Sequence, residues 1–326
     1  MKGGEKETTG LCLLLLLVLA GLSLLALGLG SAWFSPREIV EGLWQGDGTI
    51  RLVVLNLRLP RILIAVLTGC ALSLSGALLQ AVMRNPLADP GIIGVSAGAV
   101  TAATTVMLLA PKLLLLVPLF AFGGALLACV IIYLLAWKRG VDPVRIILSG
   151  VAVNAVLGSY TSFLQLLNAD NLSGVLGFLN GSLSGRGWDQ VFLVAGYAGV
   201  GILLTLCCIK GANILQLGDE MASSLGVNVN TWRIGISAVA AFLAAATVAV
   251  AGMIGFVGLV VPHIARLLVG ADYRALVPVS ALLGSCTLLA ADTLGRVLIP
   301  SMEIPVGLVM AMTGGPFFLY MLRKKG

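Results

Sequence analysis

With 326 residues, 59 % of them hydrophobic and 10 % charged, and a mean hydropathy of +1.07, the chain has too few charges to cover a soluble domain, which carries about 25 %. The bilayer must be its solvent, so backbone polar groups must be paired inside helices or a closed barrel. The apolar runs are continuous rather than alternating, which selects helices over barrel strands, and the net charge of +6 is read for topology, with no nucleic-acid partner expected.

In chain order, ten spans are predicted, at 11–33, 60–83, 91–110, 113–137, 144–168, 190–209, 232–251, 254–269, 276–298 and 305–322. The first has an apolar core longer than a signal peptide's, and Lys2 and Lys6 are balanced by Glu5 and Glu7, so it is read as a retained span. An even count puts both termini on one side. With that side cytoplasmic, 13 of the 20 Lys and Arg lie inside, as the positive-inside rule requires. Arg37, Arg51, Arg58, Arg61, Lys112, Arg186 and Arg296 remain outside. The expected product is an all-α polytopic membrane protein forming one domain over 1–326.

The second span ends in RNPLADPGIIGVSAGA, residues 84–99. Pro86 and Pro90 cannot continue a helix. Asn85 and Asp89 precede them and can bond nearby backbone in turns. Gly91, Gly94 and Gly98 let the third span start close to a neighbour. Two readings stand: a tight turn that sets packing, or a moving part at the inner mouth. The fifth span carries Gly150, Asn154, Gly158, Thr161, Ser162 and Gln165 at steps of three and four, which place them on one face. That face is either a helix–helix seam or the wall of a path.

Between the sixth and seventh spans, residues 210–233 are too polar to cross and are flanked by Lys210 and Arg233. Asp219 and Glu220 suit a helix first turn and Leu225-Gly226 a helix stop. Met221, Ala222 and Leu225 make a small apolar face, so a short amphipathic helix is predicted, lying on lipid headgroups or docking a partner.

No phosphate-cradling GxxxxGK[ST] or HExxH occurs, so any energy must come from another polypeptide, and with one His and no acid-rich loop no catalytic constellation is expected. The six Cys lie in or beside apolar runs and read as small core residues. The one acid within a span is Asp292, four residues from Arg296, a pairing that argues against a proton relay. His263 follows Pro262 and is read as a neutral side chain serving a freed carbonyl.

Four ordered blocks carry a resemblance. Residues 58–99, LGDEMASSLGVNV (217–229), GMIGFVGLVVPHIARLLVGADYR (252–274) and ADTLGRVLIPSMEIPVGLVMAMTGGPFF (291–318) resemble the FecCD family, permease subunits of type II ABC importers for iron–siderophore, haem and cobalamin. The resemblance implies a ten-span permease of the cytoplasmic membrane of a bacterium or archaeon, paired with a second permease subunit, a homodimer by expectation. Two separate ATPase subunits would bind ATP and Mg and dock below; an extracytoplasmic binding protein would dock above. The chain itself would hold no cofactor or metal.

By that resemblance Leu217, Gly218, Asp219, Glu220, Met221, Ala222, Leu225 and Gly226 form the ATPase-coupling segment. Arg58, Arg61 and Arg296 match positions that receive acidic residues of the binding protein; read from the residues alone, Arg58 and Arg61 would face lipid phosphate and Arg296 would pair with Asp292. The fifth-span face would line the translocation path, and Asp142, Pro143 and Val144 would belong to the inner gate region, although Asp142-Pro143 is a less usual pair for the family. Ferric siderophore leads as cargo, with haem or cobalamin next. The rival function is an ion-coupled secondary transporter of a bulky chelate, disfavoured by the lack of a mid-membrane acid; a polytopic membrane enzyme is opposed by the absent motifs.

Overall fold

The computed structural model describes residues 2–30, 33–45, 48–138, 140, 142–299 and 302–324. Of the basic residues used for topology, Arg139 and Lys325 lie outside them. Every regular element among the described residues is helical. Seven helices are long and apolar enough to cross a membrane, and three shorter apolar ones, 95–109, 257–269 and 306–321, accompany them. Together they account for the ten predicted spans of a multi-pass membrane protein.

Helix α1 (Lys2–Gly28) leads to α2 (Pro36–Gln45), which the span reading omitted. Its start is a reciprocal cap: Ser35 N–H donates to Glu38 Oε2 at 2.7 Å and Glu38 N–H to Ser35 Oγ at 3.2 Å, the pattern of a capping box. The Ser-Pro-Arg-Glu spacing, residues 35–38, was legible but lay outside the apolar runs. Trp33 and Trp44 beside it are exposed, as suits a helix at a membrane interface.

Helix α3 (Gly48–Leu52) and a π-helical turn (Val53–Arg58) continue into α4 (Leu59–Met83). The wider turn lies just before Pro60, whose missing N–H breaks the regular ladder. Helix α4 is the hub: 20 of its 25 residues are buried. It packs against α9 (Trp188–Gln216), α11 (Val229–Ala251), α12 (Val257–Val269) and α13 (Tyr273–Val297). Without a hydrophobic drive between helices in lipid, such closeness comes from small residues and cross-helix hydrogen bonds. A Cβ built on Gly76 would lie 1.9 Å from the Gly258 carbonyl oxygen of α12. Ser73 Oγ donates to Ser280 O at 2.8 Å and Ser285 Oγ to Val66 O at 2.9 Å across α4 and α13. Gly76→Val is therefore expected to force backbone against backbone and cost at least about 1–3 kcal/mol, read as loss of monodisperse protein after detergent extraction; Gly76→Ala should show a smaller loss.

After α4 the chain turns sharply. Arg84 adopts φ 47° and ψ 34°, a left-handed conformation uncommon for a non-glycine residue. Asn85 Oδ1 accepts from Leu87 N–H at 2.9 Å and Asp89 Oδ1 from Gly91 N–H at 2.8 Å, as the sequence suggested. A 3₁₀ turn (Pro90–Ile93) and Gly94, at φ 77°, open α5 (Val95–Leu109). Gly98 then meets Gly124 of α6 (Val117–Ala136) backbone to backbone.

Helix α7 (Pro143–Leu167) buries only Ile146, Gly150, Thr161 and Leu164, so most of its apolar surface faces outward. Helix α8 (Ser173–Leu179) precedes α9, which runs on to Gln216. That corrects the placing of 210–216 in a loop: Gly211 lets the Trp232 ring of α11 sit against α9, where a Cβ would come within 2.0 Å. The short helix α10 (Asp219–Ser224) follows, and α14 (Val306–Lys324) closes the bundle.

Candidate functional site

Three groups of polar residues stand out, one at each end of the bundle and one on its flank. At the end holding the turn after α4, α10 is fixed by charge. Arg233 is 3 % exposed and donates to both carboxylate oxygens of Asp219, at 2.9 and 3.2 Å. Arg84 also approaches Asp219 Oδ1, at 3.5 Å. The helix stop is a Schellman motif: Gly226, at φ 76°, donates its N–H to Ser223 O at 2.9 Å, and Val227 donates to Ala222 O at 3.2 Å.

This anchoring divides the predicted apolar face. Ala222 is fully buried, whereas Leu217, Met221 and Leu225 are 55 %, 58 % and 60 % exposed. The correction is geometric: Leu225 follows Met221 by four residues and shares its side of the helix, Ala222 does not join them, and Leu217 stands before Gly218, ahead of the helix. The exposed trio and Glu220 lie on or beside a helix tied by ion pairs to Arg233 and Arg84, next to a concavity lined by Arg84, Leu217–Met221 and Ser224.

The turn before α7 lies beside the start of α11, since a Cβ on Gly140 would touch the Asn230 side chain at 3.2 Å. Asp142 caps α7, its Oδ1 accepting from Val144 N–H at 3.1 Å, and Pro143 takes the first helical position. Val144 is 61 % exposed.

On the flank, five of the six fifth-span residues line one cavity of about 400 Å³: Asn154, Gly158, Thr161, Ser162 and Gln165, facing Thr101 and Met253. Asn154 Nδ2 donates to Gly91 O at 3.0 Å, and the Thr101 and Thr161 hydroxyls are 3.0 Å apart. Gly150 is the exception. A Cβ there would lie 2.0 Å from Ile92 O, so it belongs to a packing seam and not to the cavity wall. The wall therefore presents a few hydroxyls and amides and no charge.

At the opposite end, Arg58, Arg61 and Arg296 are 6 %, 9 % and 5 % exposed. Each guanidinium turns inward: Arg58 and Arg61 do not face lipid phosphate, and the Arg296–Asp292 pair read from the residues is present. Arg61 grips Asp292 through Nε (3.0 and 3.1 Å) and Nη2 (2.9 Å), and its Nη1 donates to Glu303 at 2.7 Å. Arg296 meets Asp292 at 3.3 Å and donates to Leu29 O and Ala26 O at 3.2 and 3.3 Å. Arg58 donates to Leu27 O and to Gly28 O and lies over the Phe34 ring, 4.8 Å from its centroid. The three arginines thus knot α1, α4 and α13 together. The physical reason is desolvation: charges that leave water take partners, and Asp292 and the carbonyls ending α1 are the nearest acceptors.

Glu303, which sequence reading missed, completes this group. Burial alone would raise its pKa, yet the Arg61 hydrogen bond and charge, with the Ser184 hydroxyl, hold it below the usual carboxylate range. Asp292 is shared by two guanidiniums, as the reading against a proton relay supposed for Arg296. Among the described residues no three His, Cys, Asp or Glu side chains gather as a metal site, and all six Cys are unpaired.

Comparison with known proteins places this architecture. The FecCD transport family model matches residues 14–324. The chain is 39 % identical to the Fe(3+)-citrate import system permease protein YfmE of Bacillus subtilis, over 95 % of this chain and 94 % of that one. It is 38 % identical to the hemin transport system permease protein HmuU of Yersinia pestis, over 97 % and 95 %. A solved inward-facing conformation of a metal-chelate type ABC transporter superposes with a TM-score of 0.85 at 30 % identity, covering 97 % of this chain and 99 % of the other. With the match spanning nearly the whole length and the same helical architecture, the chain belongs to the FecCD transport family.

Proposed function

We propose that this chain is the membrane-spanning permease subunit of an ABC importer that carries an iron chelate across the cytoplasmic membrane, with ATP hydrolysis on a separate partner. The observation that carries the reading is the ion-paired segment around helix α10, which offers Leu217, Met221 and Leu225 to something outside the chain. A helix meant to rest on headgroups needs no ion pair to a buried arginine of the next helix; one meant to transmit a push does. In this reading Arg233 and Asp219 transfer the movement of α10 directly to α11.

The flank cavity supports a translocation path formed with a second copy, since α7 buries so little of itself. Its weakly polar wall suits a bulky chelate, offering few strong contacts that would trap the cargo. Asp142, Pro143 and Val144, at the α10 end, are assigned to the inner gate. Both termini lie on the cytoplasmic side, which places the arginine knot outside. There the knot holds the outer end of the pathway in shape, and an extracytoplasmic binding protein docks over it. Ferric siderophore or citrate leads as cargo, ahead of haem and cobalamin, and the permease works as a homodimer with two ATPase subunits.

The test is ATPase activity of this chain co-purified with its candidate ATPase in nanodiscs, with and without binding protein loaded with ferric siderophore, ferric citrate, haem or cobalamin. Stimulation by one loaded binding protein, and not by the empty one, is the expected result and names the cargo. Failure of any ATPase to co-purify would overturn the reading.

A further inference from the structure

Beside α10, on the α12 side of Arg84, lies a second cavity of about 270 Å³ that coupling leaves unused. Its polar lining is Gln80, Arg84, Asn85, Gln216, His263 and Arg266. It contains two guanidiniums and no carboxylate. Arg266 is held by its Nη2, which donates to Tyr273 Oη at 3.2 Å and Gln80 Oε1 at 3.4 Å, while its Nε is buried without a hydrogen-bond partner. A buried donor left unmet costs about 1–3 kcal/mol, so the Arg266 guanidinium is only partly satisfied by the chain itself. Arg84 reaches the same space from its left-handed backbone, a conformation that persists only where the surroundings impose it.

A smaller crevice of about 90 Å³ adjoins this cavity and shares Pro86 and His263 with it. The rest of its lining is apolar, including Leu259, Val260, Phe317 and Phe318. A positively charged chamber that opens into a greasy slot fits an amphiphile with an anionic head. Planar guanidinium forks match phosphate oxygens.

We propose that Arg84 and Arg266 bind the phosphate of an acidic membrane lipid, with the headgroup in the polar cavity and the adjoining hydrocarbon in the crevice. The bound phosphate shares Arg84 with Asp219 of α10, 3.5 Å away, so lipid occupancy bears on the helix assigned to coupling. The lipid as source rests on the membrane orientation proposed above. The binding readout needs no ATPase, so failure of this site and failure of the importer reading are seen separately.

The experiment is native mass spectrometry of the full chain after exchange into detergent micelles containing either phosphatidylglycerol or phosphatidylcholine, with inorganic phosphate as a separate arm. Retention of phosphatidylglycerol but not phosphatidylcholine is expected, with occupancy falling at least about tenfold in Arg266→Gln, the loss of one charge-assisted contact. Because Arg266 also packs on Tyr273, a second variant is needed. Leu267 lines the same cavity and is 66 % exposed, so Leu267→Glu adds a repelling charge without disturbing the core and is expected to give a similar fall. Displacement of the lipid by inorganic phosphate would support phosphate recognition at the arginines. Equal retention of both lipids, or retention indifferent to both variants, would overturn the site. Phosphate binding that depends on Arg266 without lipid retention would overturn the lipid as its source.

Discussion

Arg61→Ala is expected to lower the stability of the purified protein by about 3–5 kcal/mol, the range for removing one partner of a buried ion pair. The size follows from what is left behind. Asp292 is 1 % exposed and would keep Arg296 alone, while Glu303 would lose the donor that ties its loop to α4. Thermal denaturation in detergent, followed by size-exclusion chromatography, reads the effect. Arg61→Gln combined with Asp292→Asn should lose less than the two single variants added together, because the pair then leaves no uncompensated charge. By the same geometry, Arg58→Glu with Arg61→Glu is expected to impair folding itself, so weakened association with a binding protein could not be read from it. If Arg61→Ala melts as the parent does, the knot is not structural and a docking role for Arg61 regains its place.

Met221→Glu combined with Leu225→Glu is expected to abolish retention of the ATPase subunit while leaving the permease folded. Both side chains are more than half exposed, so the fold gives up little, whereas apolar anchors at the centre of an interface are worth about 2 kcal/mol or more each. Two such losses correspond to roughly a thousandfold in affinity. Co-purification on a tag carried by the ATPase measures the outcome, with thermal stability of the permease as the control. Asp219→Asn makes the complementary point: it releases α10 from Arg233 and Arg84, so uncoupled or poorly stimulated hydrolysis should appear with the ATPase still bound. Full retention of a stimulated ATPase by the double variant would remove α10 from the coupling role.

How much of this was readable in advance varied by feature, for reasons that can be named. Continuous apolar runs announce membrane helices because lipid leaves the backbone no other partner, and Pro86, Pro90 and Gly94 mark the break after α4 because their backbone limits are local. The stop at Leu225-Gly226 was legible for the same reason. By contrast, the capping box of α2 was overlooked because its signal sits between the apolar runs, and α9 ran through residues read as loop because Gly211 serves a partner far along the chain.

What the amino-acid sequence determined by itself, then, was the class of solvent, the helical path, the turn chemistry and the family resemblance, all of which depend on composition or on neighbours a few residues apart. Only the tertiary structure decided which way the charges and small residues face. Arg61 and Asp292 are 231 positions apart, and no periodicity on α4 tells an arginine aimed at a partner protein from one aimed at α13. Gly150 and Gly158 share one face of α7, yet the first closes on Ile92 O and the second opens on a cavity. Facing is set by the sum of contacts across the bundle, and that sum exists only once the helices have packed.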